Sequence, residues 1–77
     1  MKKLKIIVSK VFGINETSIN DKTSQNSVES WDSFNHLLLV SELEKEFKVK
    51  LTMKEVSAMK SFNDIKDVLK NHNIKAE

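Results

Sequence analysis

The sequence predicts an all-α fold, a small four-helix bundle with three main helices, one short helix and a long first loop. Three stretches place apolar residues at the three- and four-residue spacing of an amphipathic helix, and no stretch alternates apolar and polar residues as a strand does. A capping pattern indicates the further short helix. With 77 residues, we expect one domain spanning residues 1–77, near the lower size limit for folding without a disulfide or a metal.

The first predicted helix occupies the beginning of the chain. Its apolar residues follow an i, i+3, i+4, i+7, i+8 pattern, and they are Leu4, Ile7, Val8, Val11 and Phe12. Gly13, the single glycine, follows at the position that a left-handed C-terminal cap would take. We therefore expect this helix to end immediately before Gly13.

Residues 14–32 form the predicted first loop. Polar residues dominate this stretch, and its isolated apolar residues are Ile14, Ile19, Val28 and Trp31. A connection of this length is usually either functional or disordered. Because apolar residues recur along it, we expect a loop that is held against the bundle and not a free linker.

The second main helix is predicted to begin at a cap on Asp32 or Ser33 and to reach about Lys48. At about 100° per residue, its core stripe consists of Leu39, Val40, Leu43 and Phe47, and His36 projects toward that stripe as a packing residue. Phe34 and Leu38 lie on the opposite side, four residues apart, so we expect them to be exposed neighbours beside Ser33. A single exposed apolar residue is ordinary, but two stacked ones at a helix start favour a docking patch.

The last third of the chain contains two further helix signals. Thr52 and Glu55 have the spacing of a capping box, which predicts a short helix that holds Val56 and Met59. Ser61 is predicted to cap the final helix. The inward residues of that helix are Phe62, Ile65, Val68 and Leu69. Residues 71–73 should end it, and we expect residues 74–77 to form a frayed tail.

The charge distribution argues against several functions. The net charge is +2, yet residues 29–46 carry five acids and one Lys, a local −4, while residues 1–28 and 47–77 are each +3. All 13 basic residues are Lys, so the planar guanidinium fork that favours phosphate and base recognition is missing, and we expect no nucleic-acid partner.

The composition also excludes a disulfide and a cysteine-based zinc site, because the chain has no cysteine, and no metal site is predicted. No stretch approaches the roughly 20 apolar residues of a membrane span, so we expect a cytoplasmic protein without membrane insertion. A chain this short cannot readily enclose a deep pocket, and it contains no convincing nucleophile–base pair. We therefore expect a protein that is not an enzyme.

The segment Glu29–Phe47 carries the most specific motif. It contains Asp32-Ser33-Phe34 at the start of the second main helix, and its apolar pattern ends in Leu43-Glu44-Lys45-Glu46-Phe47. Acyl carrier proteins have Asp-Ser-Leu at the start of their second helix, followed by an apolar pattern that ends in Leu-Glu-x-x-Phe. The order of helices and the long first loop extend this likeness over nearly the whole chain. The sequence therefore resembles the acyl carrier protein family.

The resemblance implies that Ser33 carries 4′-phosphopantetheine, transferred from coenzyme A by a Mg²⁺-dependent phosphopantetheinyl transferase. The thiol of this arm would hold acyl groups as thioesters, and a monomeric carrier would pass them between acyl-loading and acyl-transfer enzymes. The resemblance also implies that Asp32 helps the transferase to recognise the carrier. It further implies that Glu42 and Glu44 belong to an acidic surface that partner enzymes recognise. Because Phe34 and Leu38 are predicted to be exposed beside Ser33, we expect them to contact partners as well.

Three departures from the family pattern concern the cargo and not the carrier role. Phe34 stands where Leu is common, Leu38 stands where housekeeping fatty acid biosynthesis carriers often have an acid, and the chain is basic where those carriers are acidic. These departures favour a dedicated lipid, modified-sugar or secondary-metabolite pathway. Two alternatives stay open: an aminoacyl or peptidyl carrier, and a helical protein-interaction domain in which Ser33 is never modified.

Overall fold

The computed structural model describes residues 2–74, and within this span the chain forms four α-helices and no strand. The helices are α1 (Lys2–Phe12), α2 (Ser33–Phe47), α3 (Met53–Ala58) and α4 (Phe62–Asn71). A single 3₁₀ turn, Glu16–Ser18, lies in the first loop and has no counterpart in the sequence-based prediction. The predicted all-α class and the order of three main helices and one short helix are confirmed.

The α1 helix packs against α2 through one stripe of side chains. Leu4, Val8 and Phe12 are buried, whereas the predicted core residues Ile7 and Val11 are half-buried at the edge of the stripe. The helix ends where the sequence predicted: Gly13 adopts a left-handed conformation with φ of 65°, and the N–H of Ile14 donates to the carbonyl of Ser9. This hydrogen bond to the residue five positions earlier is typical of a Schellman motif, which needs a left-handed residue at the position of Gly13.

The α2 helix begins with Asp32, whose side chain accepts a hydrogen bond from the N–H of Asn35 at 2.9 Å. It ends at Lys48, which adopts a left-handed conformation with φ of 54°. Leu39, Val40 and Leu43 are buried as predicted, and Phe47 is half-buried against the same core. Asp32, and not Ser33, is therefore the residue that caps this helix.

The caps of α3 and α4 are those predicted. Thr52 accepts from the N–H of Glu55, and the Glu55 carboxylate accepts from the N–H of Thr52, which completes the capping box. Ser61 accepts from the N–H of Asp64 at the start of α4. All four predicted inward residues of α4 are buried. Met59, which was predicted to lie within the short helix, follows its last residue Ala58 and is buried with them.

The prediction of a frayed tail from residue 74 is wrong at Ile74. The N–H of Ile74 donates to the carbonyl of Leu69 at 3.0 Å, and its half-buried side chain packs against the core. The physical reason is the apolar side chain itself, which gains more by covering the end of α4 than by extending into water. Residues 75–77 of the predicted tail lie outside the described residues.

The first loop is held against the bundle, as predicted. Its apolar residues Ile19, Val28 and Trp31 are buried in the common core. Two backbone hydrogen bonds also join it to the beginning of α4. The N–H of Gln25 donates to the carbonyl of Lys60, and the N–H of Phe62 donates to the carbonyl of Thr23. The loop thus brings the segment before Ser33 to a fixed position beside α3 and α4.

Candidate functional site

Ser33 is the first residue of α2, and its side chain is exposed. Because Asp32 supplies the cap, the Ser33 hydroxyl makes no hydrogen bond to any residue in the 2–74 span. The backbone N–H groups of Ser33 and Phe34 likewise have no acceptor among those residues, as is usual for the first turn of a helix. A free hydroxyl therefore lies next to two free N–H groups at the positive end of the α2 dipole.

The chain just before Ser33 is fastened by side-chain hydrogen bonds. The amide of Asn35 donates to the carbonyl of Ser30 at 2.8 Å, and the hydroxyl of Ser30 donates to the carbonyl of Phe12 at 2.7 Å. These bonds join the end of α1, the loop and the first turn of α2. The Ser33 backbone is therefore positioned by three elements and not by a flexible turn.

A Trp–His pair lies directly behind the site. The indole Nε1–H of Trp31 donates to Nδ1 of His36 at 3.0 Å, and Nε2 of His36 lies 2.9 Å from the carbonyl oxygen of Val56 on α3. Since Nδ1 accepts, the proton of neutral His36 must be on Nε2, which donates to Val56. The predicted packing role of His36 thus includes a hydrogen-bonded link from the loop through α2 to α3, and Trp31 stacks on Phe12 with ring centroids 4.8 Å apart.

A shallow groove of about 420 Å³ adjoins Ser33. It is lined by Gln25, Trp31, Asp32, Ser33, His36 and Leu37. A larger concavity of about 820 Å³ lies between the end of α1 and the first loop, where polar loop residues form most of its lining. The smaller groove is the one that contacts the candidate residue, so it defines the site.

The apolar residues around Ser33 are exposed to an unusual degree. Phe34 is 71% exposed and Leu38 is 43% exposed, which confirms the predicted orientation of both. Three further exposed apolar residues were not predicted: Leu37, 62% exposed on α2, Met53, 81% exposed at the start of α3, and Ile6, 40% exposed on α1. The helical spacing that predicted an exposed Leu38 also places Leu37 outside the core stripe of α2. The exposure of Leu37 could therefore have been predicted in the same way.

The two predicted acidic residues differ in their surroundings. Glu42 is exposed on the surface of α2, where it lines a small concavity against α1 together with Lys10 and Lys45. Glu44 is half-buried, and its carboxylate accepts a hydrogen bond from the N–H of Leu51 at 2.8 Å. The Glu44 side chain therefore holds the α2–α3 connection, a role that the sequence pattern did not indicate.

Within the described residues, no three His, Cys, Asp or Glu side chains are grouped as a metal site. None of the helices in this span is long and apolar enough to cross a membrane. At Ser33, the structure instead has an exposed hydroxyl at a helix start held by hydrogen bonds. A groove adjoins this hydroxyl, and Phe34, Leu37 and Leu38 are exposed apolar residues on the same helix.

No family model and no curated protein matches the chain. Among solved structures, it is similar to the solution NMR structure of the holo acyl carrier protein from Geobacter metallireducens, with a TM-score of 0.80 and 28% sequence identity. The match covers 91% of this chain and 80% of that one. This chain has the fold of an acyl carrier protein.

The acyl carrier fold confirms the resemblance that the motif around Ser33 indicated. It agrees with the expectation of a carrier role and not an enzymatic one, because acyl carrier proteins hold a cargo for other proteins and do not transform it themselves. In the acyl carrier fold of this chain, the free serine hydroxyl and the groove beside it form the candidate functional site.

Proposed function

We propose that this protein is a carrier whose Ser33 receives 4′-phosphopantetheine and whose thiol arm shuttles acyl groups as thioesters between enzymes. We further propose that residues 1–77 act as one carrier domain. The observation that carries the proposal is the exposed Ser33 hydroxyl, which is free of the cap because Asp32 performs that task. The cytoplasmic location and the monomeric state expected from the sequence remain predictions.

The residues around Ser33 fit a phosphodiester at this position. The free N–H groups of Ser33 and Phe34 can donate to phosphate oxygens, and the α2 dipole favours a negative charge at its N-terminus by about 0.3–1 kcal/mol. In the proposed transfer, the Ser33 hydroxyl oxygen bonds to the phosphorus of the phosphopantetheine half of coenzyme A. The bond to the second phosphate breaks, the nucleotide leaves with that phosphate, and the transferase accepts the hydroxyl proton.

The proposed partners are the phosphopantetheinyl transferase and the enzymes that load and accept acyl groups. Asp32, Phe34 and Leu38 surround the attachment position and supply the proposed contacts, with Glu42 contributing charge at the side of α2. We keep Glu44 as a candidate contact, although its carboxylate is engaged by Leu51. The departures from the family sequence support a dedicated pathway of lipids, modified sugars or secondary metabolites.

The proposal is tested by the intact mass of the protein after incubation with coenzyme A, Mg²⁺ and a phosphopantetheinyl transferase of broad specificity. We expect the mass to rise by one phosphopantetheine group and fragmentation to locate it on Ser33. The matched control is Ser41→Ala, which removes the hydroxyl of an exposed serine on the same helix and should still be modified. Ser33→Ala should fold as the parent does and gain no mass.

Full modification of the Ser33→Ala variant would remove the assignment to this residue. No gain of mass in the parent protein would favour the alternative of an unmodified helical interaction domain. If the mass does rise, loading the thiol with acyl groups in one reaction and aminoacyl groups in another separates an acyl carrier from an aminoacyl or peptidyl carrier.

A further inference from the structure

The groove beside Ser33 combines aromatic, apolar and amide side chains. Besides Asp32 and Ser33, it is lined by the buried Trp31 and half-buried His36 and by the exposed Leu37 and Gln25. We propose that this groove binds the pantetheine segment of the arm and orders it against the protein. The inference rests on the proposed function, because the occupant is the group that Ser33 is proposed to carry.

The groove is preformed, which lowers the cost of ordering a ligand in it. The Trp31 indole is fixed by its hydrogen bond to His36 and by stacking on Phe12, and His36 is fixed in turn by the Val56 carbonyl. On the other side, the backbone of Gln25 is held by the Lys60 carbonyl. Both sides of the groove are therefore anchored to different parts of the bundle.

The lining matches a chain that alternates amides with apolar carbons. The Gln25 side chain is exposed, and its carboxamide makes no hydrogen bond within residues 2–74, so it can both donate to and accept from an amide of the arm. Leu37, with 62% of its surface exposed, can cover the dimethyl carbon of pantetheine. The groove volume of about 420 Å³ lies in the range of about 300–1,000 Å³ found for small-molecule sites.

Charge determines which part of the arm enters the groove. No Lys is among the residues that line the groove, and both nitrogens of His36 are already engaged by Trp31 and Val56, so the lining offers no cation to the phosphodiester. The phosphate is therefore kept at the helix start, next to the free N–H groups of Ser33 and Phe34. The neutral amide-containing segment is left to occupy the groove.

The test uses the full chain, converted to the modified form and checked by mass before any other measurement. With an isotope-labelled arm, we expect nuclear Overhauser contacts from the pantetheine methyl groups to the Leu37 methyl groups and to the Gln25 carboxamide. Trp31 is the single tryptophan, so its one indole N–H resonance should shift between the unmodified and modified proteins. The order parameters of the arm should exceed those of a free chain end.

Two variants and a matched control make the assignment specific. Gln25→Ala and Leu37→Ser change exposed residues, so both should fold, and each should reduce the contacts and return mobility to the arm. Ile6→Ser is the control, since Ile6 is an apolar residue of α1 that is 40% exposed and does not line the groove. It should leave the contacts and the order parameters unchanged.

The two proposals fail in distinguishable ways. A modified protein whose arm shows no contact to Leu37 or Gln25, or contacts only Phe34 and Leu38, would overturn the groove inference and leave the carrier function standing. A protein that gains no mass would overturn both.

Discussion

At the scale of single residues, two leucines on α2 have opposite surroundings. Leu38 is 43% exposed beside Ser33, whereas Leu43, on the core stripe of the same helix, is fully buried. The substitution Leu38→Ser should therefore leave the thermal unfolding midpoint nearly unchanged while it slows modification of Ser33 by the transferase or acyl loading by a pathway enzyme. The physical reason is that a contact with a partner removes the apolar Leu38 side chain from water, which favours binding.

The control for this prediction is Leu43→Ala, which should cost about 2–5 kcal/mol of unfolding free energy because it leaves a cavity in the core. A large loss of stability in Leu38→Ser, together with unaltered modification kinetics, would remove the docking role of Leu38. Chemical denaturation and a time course of mass gain provide the two measurements.

The Trp31–His36 hydrogen bond should contribute measurably to stability. Trp31 is only 4% exposed, so His36→Leu leaves a buried indole N–H without a partner, at a cost of about 1–3 kcal/mol of unfolding free energy. Trp31→Phe keeps an aromatic ring against Phe12 and removes the donor. After that change, His36→Leu should cost less than it does in the parent protein, and additive costs in the double-mutant cycle would contradict the bond.

At the scale of the helices, Gly13, which directly follows the end of α1, should be sensitive to substitution although it is exposed. Its φ of 65° is unfavourable for a residue with a Cβ, although no atom lies within 4 Å of the place that a Cβ would take. Gly13→Ala should therefore cost about 1 kcal/mol through backbone conformation alone, whereas Gly13→Asn should cost less. Urea denaturation of the two variants provides the comparison, and equal stability of Ala and Gly at this position would contradict it.

The helices were predictable because caps and apolar stripes are local signals. The spacing of Thr52 and Glu55 gave the start of α3, and Gly13 gave the end of α1. The spatial partners were not predictable in the same way. The link from Trp31 through His36 to Val56 joins three elements that only the tertiary fold brings together.

At the candidate site, the sequence predicted the position of Ser33 and the exposure of Phe34 and Leu38, because a helix start and a helical phase follow from local spacing. It left open whether Asp32 or Ser33 is the cap, since both residue types can accept from the same N–H group. It also missed the groove, because Gln25 reaches Ser33 only after the loop pairs with Lys60. The structural role of Glu44 was also missed, because its partner Leu51 reaches it only after the chain turns between α2 and α3.

At the scale of the whole molecule, two carboxylates with lowered pKa values make the stability of the fold depend on pH. Hydrogen bonds lower the pKa of Glu55 from its ordinary 4.5, first from the Thr52 backbone N–H and then from His72. The pKa of Asp21 is lowered mainly by its hydrogen bond from Lys66 on α4. A carboxylate with a depressed pKa in the folded state stabilises the fold above its unfolded pKa, and this contribution is lost as pH falls through the folded pKa.

We therefore expect the unfolding free energy of the parent protein to decrease as the pH falls below about 4.5. Glu55→Gln keeps an acceptor for the Thr52 N–H but removes the charge that faces His72, so it should be less stable than the parent at neutral pH. The difference should shrink in acid. Glu42→Gln is the matched control, since Glu42 is exposed, and a pH-independent deficit in Glu55→Gln would contradict the electrostatic origin.

The pairing of the first loop with the start of α4 has a consequence for amide hydrogen exchange. The N–H groups of Gln25 and Phe62 are each bonded across this pairing, to Lys60 and Thr23, and neither bond belongs to a helix. Both amides should therefore exchange with solvent deuterium through one shared opening, with equal opening free energies below that of the Leu69 amide in the core. Unequal protection of Gln25 and Phe62 would mean that the loop detaches in parts; equal protection would make the loop that fixes Ser33 a cooperative unit able to open while the bundle stays folded.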